Sequence, residues 1–108
     1  MESANEAVRI VAAQFQSRAG YDVVEPAFLE GGKPDLADAV AKLSAQGVEK
    51  IVVIPYFLTL GLHLQRDLPR LISDIETANP GVHIEVTAPL DGHPAMVEAL
   101  VDRAQSIR

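Results

Sequence analysis

The chemistry in this sequence is concentrated in a few ionisable residues. His63 stands in the apolar run Phe57-Leu58-Thr59-Leu60-Gly61-Leu62-His63-Leu64, and Glu30 follows Ala27-Phe28-Leu29. A neutral imidazole accepts divalent cobalt, nickel, iron or zinc, and a carboxylate completes such a site or takes a proton from it. A greasy loop around one histidine suits a flat hydrophobic ligand with a metal or a proton at its centre. Lys33, Arg66, Asp91 and His93 add ionisable groups in the neighbouring loops. Each residue also has a plainer role. His63 can cap or pack a helix start, and Glu30 can be a solvated turn acid. His93, before Pro94, can cap the last helix, and His83 falls on a strand's solvent face. Lys33 and Arg66 can be ordinary solvated charges.

Other chemistries are missing from the pattern. The chain has no cysteine, which excludes disulfides, thiolate zinc, iron–sulfur clusters and a cysteine nucleophile. Gly31-Gly32 is too short for a phosphate-binding loop. No pair of histidines has metalloprotease spacing, and no nucleophile elbow supports a serine triad.

The elements that must position these residues alternate. Residues 3–18 suit a helix, with Ser3 and Glu6 in a capping-box pattern, Val8, Val11, Ala12 and Phe15 as the apolar stripe, and Gly20 as the stop. Residues 21–29 are β-rich and broken only by Pro26, which predicts a strand near an edge. Gly31-Gly32-Lys33-Pro34 turns into a helix over residues 35–46, with Leu36, Val40 and Leu43 inward and Gly47 closing it. Lys50-Ile51-Val52-Val53-Ile54-Pro55 is the clearest strand, and its unbroken β-branched run predicts burial on both faces. The apolar loop over 57–64 leads into a helix to about residue 78. Its stripe is Leu68, Leu71, Ile72 and Ile75, with Pro69 near its first turn. Residues 82–87 alternate apolar and polar as a strand does, and residues 95–107 form the final helix.

This order predicts parallel strands joined by right-handed crossovers. The expected fold is one α/β domain over residues 1–108, a three-layer α/β/α arrangement around a small parallel sheet, like half of a flavodoxin-like fold. Ligands bind beyond the carboxyl ends of such strands. That selects residues 30–33, 56–66 and 90–94 and brings Glu30 and His63 onto one rim.

Composition narrows the partners. With 108 residues, 48% of them apolar and 22% charged, the chain is the size of one globular domain. Nine basic residues against 15 acidic ones give a net charge of −6, which argues against nucleic-acid binding. The absence of tryptophan argues against a base-stacking platform. No apolar run approaches the ~20 residues of a membrane helix, and the opening Met1-Glu2-Ser3-Ala4-Asn5-Glu6 is not a signal pattern. The expected address is the cytoplasm, away from membranes.

A series of short segments carries a resemblance. Ala27-Phe28-Leu29-Glu30 is followed by Lys33-Pro34-Asp35-Leu36, then by Gln46-Gly47-Val48-Glu49-Lys50-Ile51-Val52-Val53-Ile54-Pro55-Tyr56-Phe57-Leu58. Gly61-Leu62-His63, Asp67-Leu68-Pro69 and Gly92-His93-Pro94 complete it. In this order and spacing they resemble the small CbiX/SirB-type sirohydrochlorin chelatases of the class II chelatase group. The resemblance implies insertion of cobalt or ferrous iron, with nickel used by some related enzymes, into sirohydrochlorin for cobalamin or sirohaem biosynthesis. It implies no tightly bound cofactor.

By the same resemblance His63 matches the family's second active-site histidine and Glu30 its active-site glutamate, a catalytic and metal-binding pair. His93 matches a histidine near the substrate rim. Together with Arg66, Lys33, Leu60 and Gly61 it is expected to meet the substrate, whose carboxylates suit basic partners. The family opens with a strand ending in His-Gly-Ser, whose histidine is a principal metal ligand, and this sequence starts just beyond it. The expectation is a fold without its first strand, explained by a start codon placed too late or by a homodimer whose partner covers the gap. Two other readings stay open: a non-catalytic metal- or tetrapyrrole-binding protein that has lost the first histidine, and a flavodoxin-like interaction domain whose apolar loop is a subunit contact.

Overall fold

The computed structural model describes residues 2–29, 32–57 and 62–107, with backbone alone for Glu2 and residues 62–64. The chain divides into two compact units, Met1–Val48 and Glu49–Arg108.

The first unit opens with helix α1 (Glu2–Ala19), ended by Gly20 at φ +79°. Its least exposed positions are Asn5, Val8, Arg9, Ala12 and Gln16, spaced as one helical face. The expected stripe shares only Val8 and Ala12 with this face, and Val11 and Phe15 are each 36% exposed. Polar side chains with partners of their own account for the difference. The Arg9 guanidinium stands 5.5 Å from the centre of the Phe28 ring, a cation–π geometry. Gln16 Nε2 donates to the Asp22 carbonyl at 2.9 Å. Phe15 instead stacks on Tyr21, with ring centres 5.8 Å apart.

Residues 21–29 do not form the expected strand. One isolated parallel bridge joins Phe28 to Asp35, where the Phe28 N–H donates to the Pro34 carbonyl at 2.9 Å. Pro26 has no N–H to offer a ladder, and the Asp22 carbonyl is already taken by Gln16. Helix α2 (Leu36–Ala45) starts at the N-cap Asp35, whose carboxylate accepts the Asp38 N–H at 2.8 Å. It ends in paired turns, Gly47 N–H to Ser44 O and Val48 N–H to Leu43 O, which leave few carbonyls unpartnered. Phe28, Ala39 and Val40 are this unit's buried hydrophobic residues.

The second unit holds a parallel pair, β1 (Lys50–Val53) and β2 (His83–Val86), in the register Lys50↔His83 to Val53↔Val86. Parallel neighbours need a crossover, and helix α3 (Leu62–Ala78) supplies it. Ile72 and Ile75 of α3 are buried together with Val82 and Ile84, the unit's core. Glu76 of α3 reaches the sheet as well, where its Oε2 accepts the Ile84 N–H at 2.8 Å.

Two expectations change here. β1 is not buried on both faces: its exposure alternates, and Val52 is 39% exposed. Its single ladder partner among the described residues is β2, and α3 packs against that pair through β2. Helix α3 also begins earlier than expected, so Pro69 lies in its interior, where it withholds one intrahelical hydrogen bond. Burial of the face carrying Ile72 and Ile75 outweighs that local cost. Helix α4 (Pro94–Gln105) follows β2 and buries no residue; Val97 and Leu100 are 62% and 69% exposed.

Candidate metal and substrate site

Because β1 and β2 run parallel, the chain leaves both at the same edge of the sheet. From there it enters α3 and α4 through short connections. This edge is where ligands gather in parallel α/β folds. His63 is the second residue of α3, so it belongs to the helix start and not to the preceding loop as the apolar run suggested. Arg66 lies one turn further on, with its Nε 3.5 Å from Asp67 Oδ1.

His93 is the N-cap of α4. Its backbone is extended, and its Nδ1 accepts the Ala95 N–H at 3.0 Å. Pro94 at the first helical position has no N–H to satisfy, and the Met96 N–H bonds to the His93 carbonyl at 3.0 Å. The cap therefore uses Nδ1, and the Nε2 edge of the ring is the one left for a ligand. His83 lies on the sheet's exposed side, its two ring nitrogens 3.5 and 3.4 Å from carboxylate oxygens of Glu76 and Glu85.

In the other unit, Lys33 sits at the turn before α2 with its Nζ 3.5 Å from Oδ2 of both Asp35 and Asp38. The charge of Asp35, then that of Asp38, raises its pKa above the ordinary lysine value. Asp35 is held below the ordinary aspartate value, first by the Asp38 N–H it accepts and then by Lys33. Lys33 thus stays a cation and is 78% exposed, but two carboxylates already share it. A substrate carboxylate would have to compete with them.

Glu30, Leu60 and Gly61 lie outside the described residues, as does the side chain of His63. The expected meeting of Glu30 and His63 lies outside them too. Among the described residues no three His, Asp or Glu side chains gather as a metal cluster. One polar residue escaped the sequence reading. Asn5 is 7% exposed, and the signal for it was its place on the helical line through Val8 and Ala12.

Comparison with known proteins gives a consistent picture. A family model described as CbiX matches residues 1–107. The chain is 36% identical over 91 residues to the chloroplastic sirohydrochlorin ferrochelatase of Arabidopsis thaliana, covering 84% of this chain and 40% of that longer protein. It is 31% identical over 99 residues to a sirohydrochlorin cobaltochelatase of Sulfurisphaera tokodaii, covering 90% of this chain and 79% of the relative. A sirohydrochlorin cobaltochelatase of Saccharolobus islandicus is 36% identical over 102 residues, with 89% and 79% covered. Among solved structures, a putative cobalamin biosynthesis CbiX protein from Marinobacter aquaeolei VT8 superposes with a TM-score of 0.80 at 29% identity, over 94% of this chain and 82% of that one.

Proposed function

Since the chain belongs to the CbiX family, we propose that it is a sirohydrochlorin chelatase, inserting cobalt or ferrous iron into sirohydrochlorin. The observation that carries this reading is a family match over nearly the whole chain, joined to relatives named for cobalt and for iron insertion. That match over residues 1–107 also supports reading the chain as a single chelatase-like domain.

Metal insertion has two demands. The aqua ion must shed water, and the macrocycle must lose two pyrrole protons. In this reading His63, fixed in the first turn of α3, holds the metal substrate on one face of the ring. Glu30, or the same imidazole, takes the protons as general base. The apolar stretch that includes Leu60 and Gly61 lies against the macrocycle and keeps water out. Arg66, Lys33 and the start of α4 at His93 pair with substrate carboxylates, where a helix N-terminus adds its own positive field. No tightly bound cofactor takes part. No described helix is long and apolar enough to cross a membrane; a cytoplasmic site of action belongs to the same proposal. The acidic balance of the chain speaks against nucleic acid as a partner. A homodimer is the assembly in this reading.

The test is an absorbance assay of cobalt and ferrous iron insertion. His63→Ala should abolish most of the rate and leave the far-ultraviolet circular dichroism of the parent. Parent-like metallation by His63→Ala would remove His63 from the site. Binding of cobalt and sirohydrochlorin with no metallated product would replace the enzyme by a metal- or tetrapyrrole-binding protein.

A further inference from the structure

We infer that His93 serves the site as a neutral hydrogen-bond donor, with its ring proton held on Nε2 by the cap of α4, and that it takes a carboxylate of the substrate and not the metal. The inference rests on the reading of His93 as a substrate residue and adds which atom acts, in which form and on what. Three bonds anchor the residue. Its N–H donates to the Leu90 carbonyl at 2.9 Å, its carbonyl accepts the Met96 N–H at 3.0 Å, and Nδ1 accepts the Ala95 N–H at 3.0 Å. To accept, Nδ1 needs a lone pair. An imidazolium has none, so the ring that caps is neutral and its one proton sits on Nε2. His93 is exposed and follows β2 at the edge where the parallel strands end. Among the described residues none bonds to Nε2.

A histidine that ligates a metal has the opposite polarity. One ring nitrogen gives its lone pair to the ion, and the other carries the proton and donates it to a carbonyl or a carboxylate. For His93 to take a metal at Nε2, the ring proton would have to move to Nδ1. There it would meet the Ala95 N–H head on, and the cap would be lost. Capping the helix and binding a cation are therefore exclusive states of this ring. The helix start acts in the same sense, since its positive end favours an anion and opposes a cation. A carboxylate satisfies both, as the acceptor for Nε2–H and as the charge that the helix field favours.

The experiment has two arms. The first is nuclear magnetic resonance of the isotope-labelled full chain at about pH 8, above the ordinary histidine range. It reads the scalar coupling across the hydrogen bond from the Ala95 amide nitrogen to His93 Nδ1, before and after excess zinc. The coupling is expected and should survive zinc. Its absence, or its loss as zinc shifts His93 Nε2, overturns the inference and leaves the chelatase reading standing. The second arm is steady-state cobalt insertion into sirohydrochlorin by the parent, His93→Asn and His93→Asp, with folding followed by circular dichroism. Both variants keep a capping oxygen; Asn sets an amide beside it, and Asp a negative charge. His93→Asp is expected to raise KM for sirohydrochlorin about tenfold or more and His93→Asn by less, with KM for cobalt within about twofold of the parent in both. A metal ligand predicts the reverse, because a carboxylate can replace an imidazole on the ion. His93→Asp closer to the parent than His93→Asn, with KM for cobalt displaced, overturns the inference. The parent's KM for sirohydrochlorin in both folded variants overturns it too. A parent that makes no metallated product removes the chelatase reading and this role of His93 with it, whatever the coupling shows.

Discussion

His93 carries two roles that one substitution series can separate. As the N-cap it accepts the Ala95 N–H at 3.0 Å, and in the proposed function its ring also faces the substrate. His93→Ala removes the one side-chain acceptor at this helix start. Pro94 needs none, and Met96 keeps its bond to the His93 carbonyl, so a single N–H passes to water. Losing a cap of this kind costs about 1 kcal/mol. Helix α4 buries no residue, so little packing shares the load, and its ends should fray before the rest of the chain melts. His93→Asn restores a good cap without an imidazole. In melts followed at 222 nm, His93→Ala should fall below the parent by roughly 4–8 °C per kcal/mol, and His93→Asn should match it. In the metallation assay both variants should raise KM for sirohydrochlorin, because both lack the ring. If His93→Asn recovers stability and KM together, His93 is a cap and nothing more. If His93→Ala melts like the parent, the cap reasoning itself fails.

Two more outcomes follow from the same physical reading. Val40 is 1% exposed, and Val40→Ala removes two buried carbons at about 0.8 kcal/mol each. With the cavity left behind, the loss should reach about 2–3 kcal/mol in denaturant unfolding, and a loss under about 0.5 kcal/mol would show that the site collapses freely. Asp35 is held below its ordinary value chiefly by the Asp38 N–H. Such a carboxyl contributes stability that is complete above its unfolded pKa and is lost as pH falls through the folded one. Amide protection in α2 should therefore hold at neutral pH and weaken below about pH 4, while Asp35→Asn, which caps without titrating, should flatten that acid limb. An unchanged limb in the variant would assign the effect elsewhere.

The helices and the sheet pair were legible for definite reasons. Lys50-Ile51-Val52-Val53 has no competing reading at that length, and Leu68, Leu71, Ile72 and Ile75 lie on one face of α3, with Ile72 and Ile75 buried. Asp35 and His93 are both followed at short range by the N–H groups they cap, and local chemistry of that kind is visible in a one-dimensional pattern. Residues 21–29 failed because a strand needs a partner, and propensity cannot say whether one is there. The inward face of α1 was misjudged because hydropathy ranks Val11 and Phe15 above Asn5 and Arg9, whereas partners at Gly32 and Phe28, distant in sequence, decide which side is covered. Glu30 and His63 were singled out by their chemistry and their place beyond the strand ends, and only the resemblance gave them roles, since single ionisable residues in connecting segments have no periodicity of their own.

The contact between Glu76 and the Ile84 amide sets a limit on how this sheet can grow. An outermost strand offers its free amides to any passing extended chain, which invites uncontrolled association. Here the carboxylate of the crossover helix occupies that position, so a stranger would first have to displace a charge-assisted bond. The Ile84 amide on the margin beyond β2 is thereby occupied from within, which favours the opposite flank of the pair, beside β1, as the place for an added strand.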